Sequence, residues 1–93
     1  MYKIKDYSFR QAKKLGVTIK SPSTKKGKKI DVYNKKGELI SSIGAIEYMD
    51  YPSYLEKRGY EYAKERKRLY RIRHAGEEKN VGSNGYYAYY ILW

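Results

Sequence analysis

The feature that most constrains this chain is a single stretch, residues 53–75, whose pattern is that of a long helix. Ser53 and Glu56 stand at its start with the spacing of a capping box, in which each side chain accepts a hydrogen bond from an unpaired backbone N–H. Spacings of four and three then place six residues on one helix face: Leu55, Gly59, Tyr62, Arg66, Leu69 and Arg73. Gly76 follows, and glycine often ends a helix. Because glycine inside a helix costs about 1 kcal/mol relative to Ala, the pattern predicts either one continuous helix or two helices that meet at Gly59.

Shorter elements precede this stretch. Their patterns predict a helix at residues 8–15, a half-buried strand at 17–20, and a hairpin with strands at 29–34 and 38–43. Ser8 and Gln11 have the spacing of a second capping box, and Gly37 suits the positive φ angle of a hairpin turn. We therefore predict an α+β fold, in which one long helix covers a small antiparallel sheet made of the hairpin and the short strand. A short N-terminal helix and an aromatic C-terminal tail complete it.

The size and composition of the chain predict one small domain, residues 1–93, with a thin core. Of the 93 residues 13 are Tyr, which packs its ring while its hydroxyl stays in water. So many Tyr side chains either replace Phe in a modest core or form a surface that a partner buries. The chain has no Cys, which excludes a disulfide framework and a thiolate metal site. Without a signal peptide or an apolar run of membrane-spanning length, we expect a soluble protein made in a cytoplasm, with no membrane partner.

The net charge of +11 is concentrated in the first part of the chain. Residues 1–40 hold twelve basic and three acidic residues, a net charge of +9, which leaves +2 for the remainder. Such a basic half predicts a partner with a negative surface, either nucleic acid or an acidic protein face. Six lysines in a loop and a hairpin turn are the candidate residues for binding an anionic partner: Lys25, Lys26, Lys28, Lys29, Lys35 and Lys36. The same lysines also fit a face that only keeps the protein soluble.

The chain carries no recognisable catalytic constellation, so we predict that it is not an enzyme and has no metal, cofactor or small-molecule substrate. Its only histidine, His74, fits a cation at a helix C-terminus better than a metal ligand. Glu61 and Glu65 stand one turn apart, but Lys64 and Arg68 lie at helical spacing from them, which favours surface ion pairs over an acid–base couple.

The aromatic tail, residues 86–93, is the second candidate for contact with a partner. It fits either a short helix capped by Ser83 or Asn84, or a strand. Eight residues are too few for the periodicity of their apolar positions to decide between the two. Its aromatic side chains suit either a strap that completes the core or an anchor in the groove of another protein. Six residues are candidates for binding a protein partner: Arg66, Arg71, Arg73, Tyr86, Tyr90 and Trp93.

Several short motifs of this sequence resemble a family of small basic proteins of unknown function from tailed bacteriophages and large eukaryotic DNA viruses. The motifs are IGA at residues 43–45, DYP at 50–52, ERKRLYRIRH at 65–74 and the terminal ILW at 91–93. The resemblance extends from Phe9 over most of the chain, but this tail reads YYAYYILW where the commoner family tail mixes in charged residues.

The resemblance implies a viral protein. Together with the basic, Tyr-rich, non-catalytic composition, it leads us to expect an auxiliary capsid protein, that is, a minor, cement or decoration protein of the virion. Such a protein is made in the host cytoplasm and binds the major capsid protein in many copies. The alternative is a viral nucleic-acid-binding protein that contacts phosphates through its Lys-rich half. A third hypothesis is that the protein is a regulator that binds a host protein.

Overall fold

The described residues, 2–93, form four α-helices and one three-stranded sheet in this computed structural model. The predicted α+β class is therefore confirmed. In chain order the elements are α1 (Asp6–Leu15), β1 (Thr18–Lys20), β2 (Lys28–Tyr33), β3 (Leu39–Ala45), α2 (Tyr51–Arg58), α3 (Tyr60–Arg73), a 3-10 turn (Glu77–Lys79) and α4 (Asn84–Ile91).

The sheet is antiparallel with the strand order β1-β2-β3, as the hairpin and the short strand predict. Ile19 pairs with Val32, and Ile30 pairs with Ile43, so apolar side chains of neighbouring strands stand side by side. The pairing shifts after Val32, where β3 contributes an extra residue. The result is one apolar face that must be covered.

Helices α1 and α4 cover that face. The core is formed by residues of these two helices, the three strands and the segment that follows α4: Ala12, Ile19, Ile30, Val32, Ile43, Tyr87, Ile91 and Leu92. Ser8 is buried, and its hydroxyl donates to the carbonyl oxygen of Ile91 at 2.8 Å, while Gln11 donates to that of Tyr90 at 3.0 Å. These two side chains therefore do not form the predicted capping box. Instead, they donate to carbonyl groups at the end of α4, which lack N–H partners because the helix does not continue.

The predicted long helix is two helices, α2 and α3, which meet at Gly59. This residue has φ 86° and ψ 171°, a backbone conformation that essentially only glycine adopts. The N-cap of α2 is Asp50, not Ser53: its carboxylate accepts the backbone N–H of Ser53 at 2.9 Å. The buried apolar residues of α2 and α3, Tyr51 and Ala63, lie outside this core cluster, so the expectation that one long helix covers the sheet is met only loosely. Tyr51 links the pair to α1 through an edge-on contact with Tyr7 at 5.0 Å.

Gly44 marks the closest approach between β3 and the end of the chain, and this leads to a stability prediction. Its φ angle is 77°, and a Cβ atom there would lie 2.7 Å from Leu92 Cδ1. We expect Gly44→Ala to lower the free energy of unfolding by about 2–4 kcal/mol, because backbone strain adds to overpacking. Urea denaturation measures this.

Gly27→Ala is the matched control for Gly44→Ala. Gly27 also has a positive φ angle, 85°, but among residues 2–93 no atom outside its chain neighbours lies within 4 Å of the position of an added Cβ. Gly27→Ala should therefore lower the free energy of unfolding only by the cost of placing Ala at a positive φ angle, about 1–2 kcal/mol. Equal losses in the two variants would contradict the role assigned to the contact with Leu92.

Candidate functional site

The six lysines that the sequence singles out do not form one rim. Lys25 and Lys26 are exposed in the loop before β2, and Lys28 begins the strand. Lys35 and Lys36 are exposed in the turn after it. A strand of six residues is about 20 Å long, so the two groups of lysines lie at opposite ends of the hairpin. A single short anionic segment cannot contact both groups.

Lys29 is a correction to the predicted set, because its side chain is buried and already paired. Only 4% of the residue is exposed. Its ammonium group lies 3.0 Å from Asp50 Oδ2 and also donates to the carbonyl oxygen of Tyr48. The ring of Tyr2 lies 5.0 Å from it. Lys29 is thus an internal cation that joins β2 to the start of α2, and it is not available to an external anion.

Burial makes the outer surface more positive than the sequence total. Of the 21 basic residues only Lys29 is buried, whereas two of the ten acidic residues, Asp31 and Asp50, are buried. The rest of the chain therefore carries a net charge of +12. A surface of this sign attracts anionic partners and raises their rate of encounter.

Asp31 holds the loop that carries Lys25 and Lys26. Its buried carboxylate accepts hydrogen bonds from the hydroxyls of Ser42 at 2.7 Å and Thr24 at 2.6 Å, from the backbone N–H of Thr24 at 2.8 Å, and from the Ser23 hydroxyl. Burial opposes its ionisation, but these hydrogen bonds outweigh burial and hold the pKa of Asp31 well below its ordinary value. The ionised carboxylate thereby fixes residues 23–24 against the sheet.

A second surface is a cleft between α3 and the segment from β3 to the start of α2, closed at one side by the end of the chain. We call it the basic-aromatic cleft and define it by six of its lining residues: Tyr54, Arg66, Tyr70, Arg73, His74 and Trp93. Its volume is about 530 Å³, within the range of about 300–1,000 Å³ that is usual for ligand pockets. Lys28 and Tyr48 also line the cleft.

Three of the residues that line the cleft form a stack of rings. The rings of Tyr70 and Trp93 are nearly parallel, with centroids 4.4 Å apart and an interplanar angle of 6°. The His74 ring stacks on Tyr70 at 4.1 Å and 19°. Two parallel rings at these distances cannot share one face of Tyr70 without overlapping, so they occupy its two faces. Burial, and then the nearby carboxylate of Glu77, raise the pKa of Tyr70 to about 12, which keeps its phenol neutral.

Two arginines flank this stack without an acidic partner. Arg66 and Arg73 stand seven residues apart on α3, which places them two turns apart on one face, about 10 Å along the axis. Neither forms an ion pair with any residue from 2 to 93. The guanidinium of Arg66 lies 5.7 Å from the ring centroid of Tyr54. The Glu77 carboxylate lies 3.0 Å from His74 Nδ1 and pairs with neither arginine, so Arg66 and Arg73, like Lys28, have no ion-pair partner among residues 2–93.

The other predicted protein-binding residues lie elsewhere. Arg71 does not line the cleft, and its guanidinium packs 4.5 Å from the centroid of Tyr89. Tyr86 and Tyr90 contact each other edge-on at 5.2 Å on α4 and do not line the cleft either. The tail is thus a helix that serves as a core strap, capped by Ser83, whose hydroxyl accepts the backbone N–H of Tyr86 at 3.1 Å.

Sequence reasoning missed Tyr54 and Tyr70 as members of the cleft. The signal for Tyr70 was present, because it stands four residues after Arg66 and three before Arg73, on the same helix face. Tyr54 had no such signal, since the break at Gly59 decides where α2 lies relative to α3.

Comparisons of the chain with protein-family models, curated proteins and solved structures find no match. Among residues 2–93, no group of three or more His, Cys, Asp or Glu side chains is arranged to hold a metal ion. The helices of this same region are all too short or too polar to cross a bilayer. Two basic surfaces stand out among the described residues: the exposed lysines at the ends of the hairpin and the basic-aromatic cleft.

Proposed function

We propose that the protein is an auxiliary capsid protein, which binds the major capsid protein of a virus in many copies and stabilises the shell. One surface carries this proposal, and we call it the loop–connector surface. It consists of Lys25 and Lys26 in the loop before β2 and Ile46 and Tyr48 in the connector after β3. The two segments are joined by a hydrogen bond from the Ile46 N–H to the carbonyl oxygen of Gly27 at 3.0 Å.

The loop–connector surface has the composition of a protein interface. Ile46 is 59% exposed and Tyr48 is 71% exposed, beside the exposed cations of Lys25 and Lys26. An apolar centre with a charged rim is the usual arrangement of a contact between proteins. The positive rim matches an acidic face, and a repeated shell offers the same acidic face many times. The resemblance to viral proteins supports the virion, after synthesis in the host cytoplasm, as the place where this occurs.

The test is the number of copies in purified particles. We expect quantitative mass spectrometry to find hundreds of copies per particle, unchanged by nuclease treatment. A triple variant, Lys25→Gln, Lys26→Gln and Ile46→Ser, should bind at least roughly thirtyfold more weakly, since losing an anchor of an interface commonly costs about 2 kcal/mol or more.

The opposite end of the hairpin offers a matched control for that variant. Lys35→Gln, Lys36→Gln and Leu39→Ser make the same changes of charge and polarity at exposed positions. Particles should keep this control at the unmodified level. If both variants are lost equally, the loop–connector surface is not the contact, and absence of the protein from particles overturns the proposal.

Binding of nucleic acid is the second candidate function, favoured by the basic-aromatic cleft. Unpaired guanidinium groups bind phosphates, and aromatic faces stack on bases. Retardation of nucleic acid at low salt, with an affinity that falls as salt rises, would support this candidate. Copy number in particles that changes on nuclease treatment would favour it over shell binding.

A further inference from the structure

We propose that the basic-aromatic cleft binds a nucleotide unit of a single-stranded nucleic acid, with the base stacked on Trp93 and the phosphates held by Arg66 and Arg73. This inference goes beyond shell binding and deepens the second candidate function. The cleft and the loop–connector surface adjoin at Tyr48, but Lys25, Lys26 and Ile46 do not line the cleft. The two sites can therefore be tested separately.

The first support is the ring stack, in which Tyr70 is the one parallel ring on Trp93 among residues 2–93. Tyr70 covers one face of the Trp93 indole at 4.4 Å, in the parallel arrangement of stacked bases. The ring of Tyr54 also lies near Trp93, but it is tilted by 50° at 6.3 Å, too far and too oblique to stack. No parallel ring covers the second face of the indole among residues 2–93. A base that stacks there extends the existing column, and every base has the π-face this requires.

The second support is the polarity of the groups around the stack. Arg66, Arg73 and Lys28 supply only hydrogen-bond donors, and none of them has an ion-pair partner among the described residues. Of the acidic groups of the cleft, Asp50 pairs with Lys29, and Glu77 Oε2 lies 3.0 Å from His74 Nδ1 but accepts no hydrogen bond among the described residues. Donors without internal acceptors suit phosphate oxygens, which accept only.

The third support is the match between charge and ring positions. Tyr70 lies between Arg66 and Arg73 on one face of α3, so the residue at the middle of the ring stack shares its helix face with both arginines. Arg66 and Arg73 line the same cleft as Trp93, so their guanidinium groups are available to the phosphates of a strand whose base stacks on Trp93. A duplex keeps its bases inside the helix and cannot stack one on Trp93, which selects a single strand.

The experiment uses the full chain and a fluorescein-labelled oligothymidylate, titrated by fluorescence anisotropy at low salt. Because Trp93 is the only tryptophan, its own fluorescence reports stacking in a parallel titration with unlabelled oligomer. We expect the oligomer to bind and to quench Trp93. Arg66→Gln with Arg73→Gln should weaken binding at least tenfold and reduce the slope of log affinity against log salt by about 1.4, since each phosphate contact on a single strand contributes about 0.7.

The control and a second variant keep the test decisive. Lys57→Gln with Lys64→Gln removes the same charge from exposed positions of α2 and α3 outside the cleft and should change affinity much less. Trp93→Leu should weaken binding about tenfold, the usual scale for one stacked base. Circular dichroism establishes that each variant is folded. If Trp93→Leu does not fold, two other measurements still test the proposal: the affinity of the double arginine variant and the quenching of Trp93 fluorescence in the unmodified chain.

Three outcomes overturn the inference. Equal losses in the arginine pair and the lysine control would show general charge attraction, and equal affinity for a duplex of the same length would show that no base enters the cleft. Binding of a hexaglutamate peptide, without binding of the oligomer, would make the cleft a protein groove. If the oligomer does not bind but the copy number in particles is as expected, the nucleotide site is overturned and shell binding stands. If the oligomer binds but the protein is absent from particles, only shell binding is overturned.

Discussion

Replacing Lys29 by Met is expected to lower the free energy of unfolding by about 3–5 kcal/mol, because it leaves a buried carboxylate without its cation. That carboxylate, Asp50, is 1% exposed and accepts three hydrogen bonds. They come from Lys29 Nζ at 3.0 Å, the Tyr2 hydroxyl at 2.7 Å and the Ser53 N–H at 2.9 Å. Burial and the Asp50 charge raise the pKa of Tyr2, so its phenol stays protonated and remains a donor. Asp50 thus ties β2, the N-terminal segment and the start of α2 together.

Urea denaturation measures the effect, and the neighbouring residue supplies the control. Lys28 is half-buried and has no ion pair among residues 2–93, so Lys28→Met should change stability by no more than about 1 kcal/mol. A second comparison is the double variant of Lys29→Met with Asp50→Asn, whose loss should be smaller than the sum of the single losses, since the two residues interact directly. Similar losses for Lys29→Met and Lys28→Met would show that the buried pair does not stabilise the fold.

Asp31→Ala is expected to destabilise the protein by about 3 kcal/mol or more, because it leaves buried donors without an acceptor. The hydroxyls of Ser42 and Thr24 and the backbone N–H of Thr24 all lose their partner. No cation pairs with Asp31 among the described residues, so hydrogen bonds alone compensate its buried charge. Glu47→Ala removes an exposed carboxylate of the connector and should change stability by about 0.5 kcal/mol or less.

Asp31 also makes the free energy of unfolding depend on pH under acidic conditions. Because the pKa of Asp31 is lower in the folded protein than in the unfolded chain, folding stabilises its ionised form. This stabilisation is complete above the unfolded pKa of about 3.9 and is lost as the pH falls from there toward the folded pKa. Urea midpoints of the unmodified protein should therefore fall below about pH 5, and the fall should be smaller in Asp31→Ala. An equal fall in both proteins would assign the acid sensitivity to other groups.

The fold was predictable from the sequence where the determining physics is local. The hairpin around Gly37 and the position of α3 follow from alternation, helical spacing and the φ preference of glycine. The break at Gly59 was one of two readings, since the cost of glycine in a helix leaves both open. The capping boxes were wrong for Ser8 and Ser53. Spacing identifies a side chain that can cap, but Asp50 competed successfully at α2, and burial gave Ser8 a partner 83 residues away.

The candidate site was predictable only in part. Arg66 and Arg73 share a face of α3 by spacing alone, and Trp93 joined them only through the way the chain returns past α3. Arg71 stands between the two arginines in sequence, but its position turns it toward Tyr89 instead. The lysines illustrate the same limit. Lys28 and Lys29 are adjacent in sequence, but on alternate faces of the strand Lys28 is half-buried without an ion pair, whereas Lys29 is buried and paired with Asp50.

The sequence by itself determined the excess of positive charge, the lack of cysteine, the α+β class and the phase of the hairpin strands and of α3, because composition and periodicity are properties of neighbouring residues. Only the tertiary structure decided that α1 and α4 cover the sheet, that Lys29 and Asp50 neutralise each other inside, and that two arginines and a ring stack meet in one cleft. The physical reason is that burial and hydrogen-bond partners depend on which segments pack together, and residues far apart in the chain supply them.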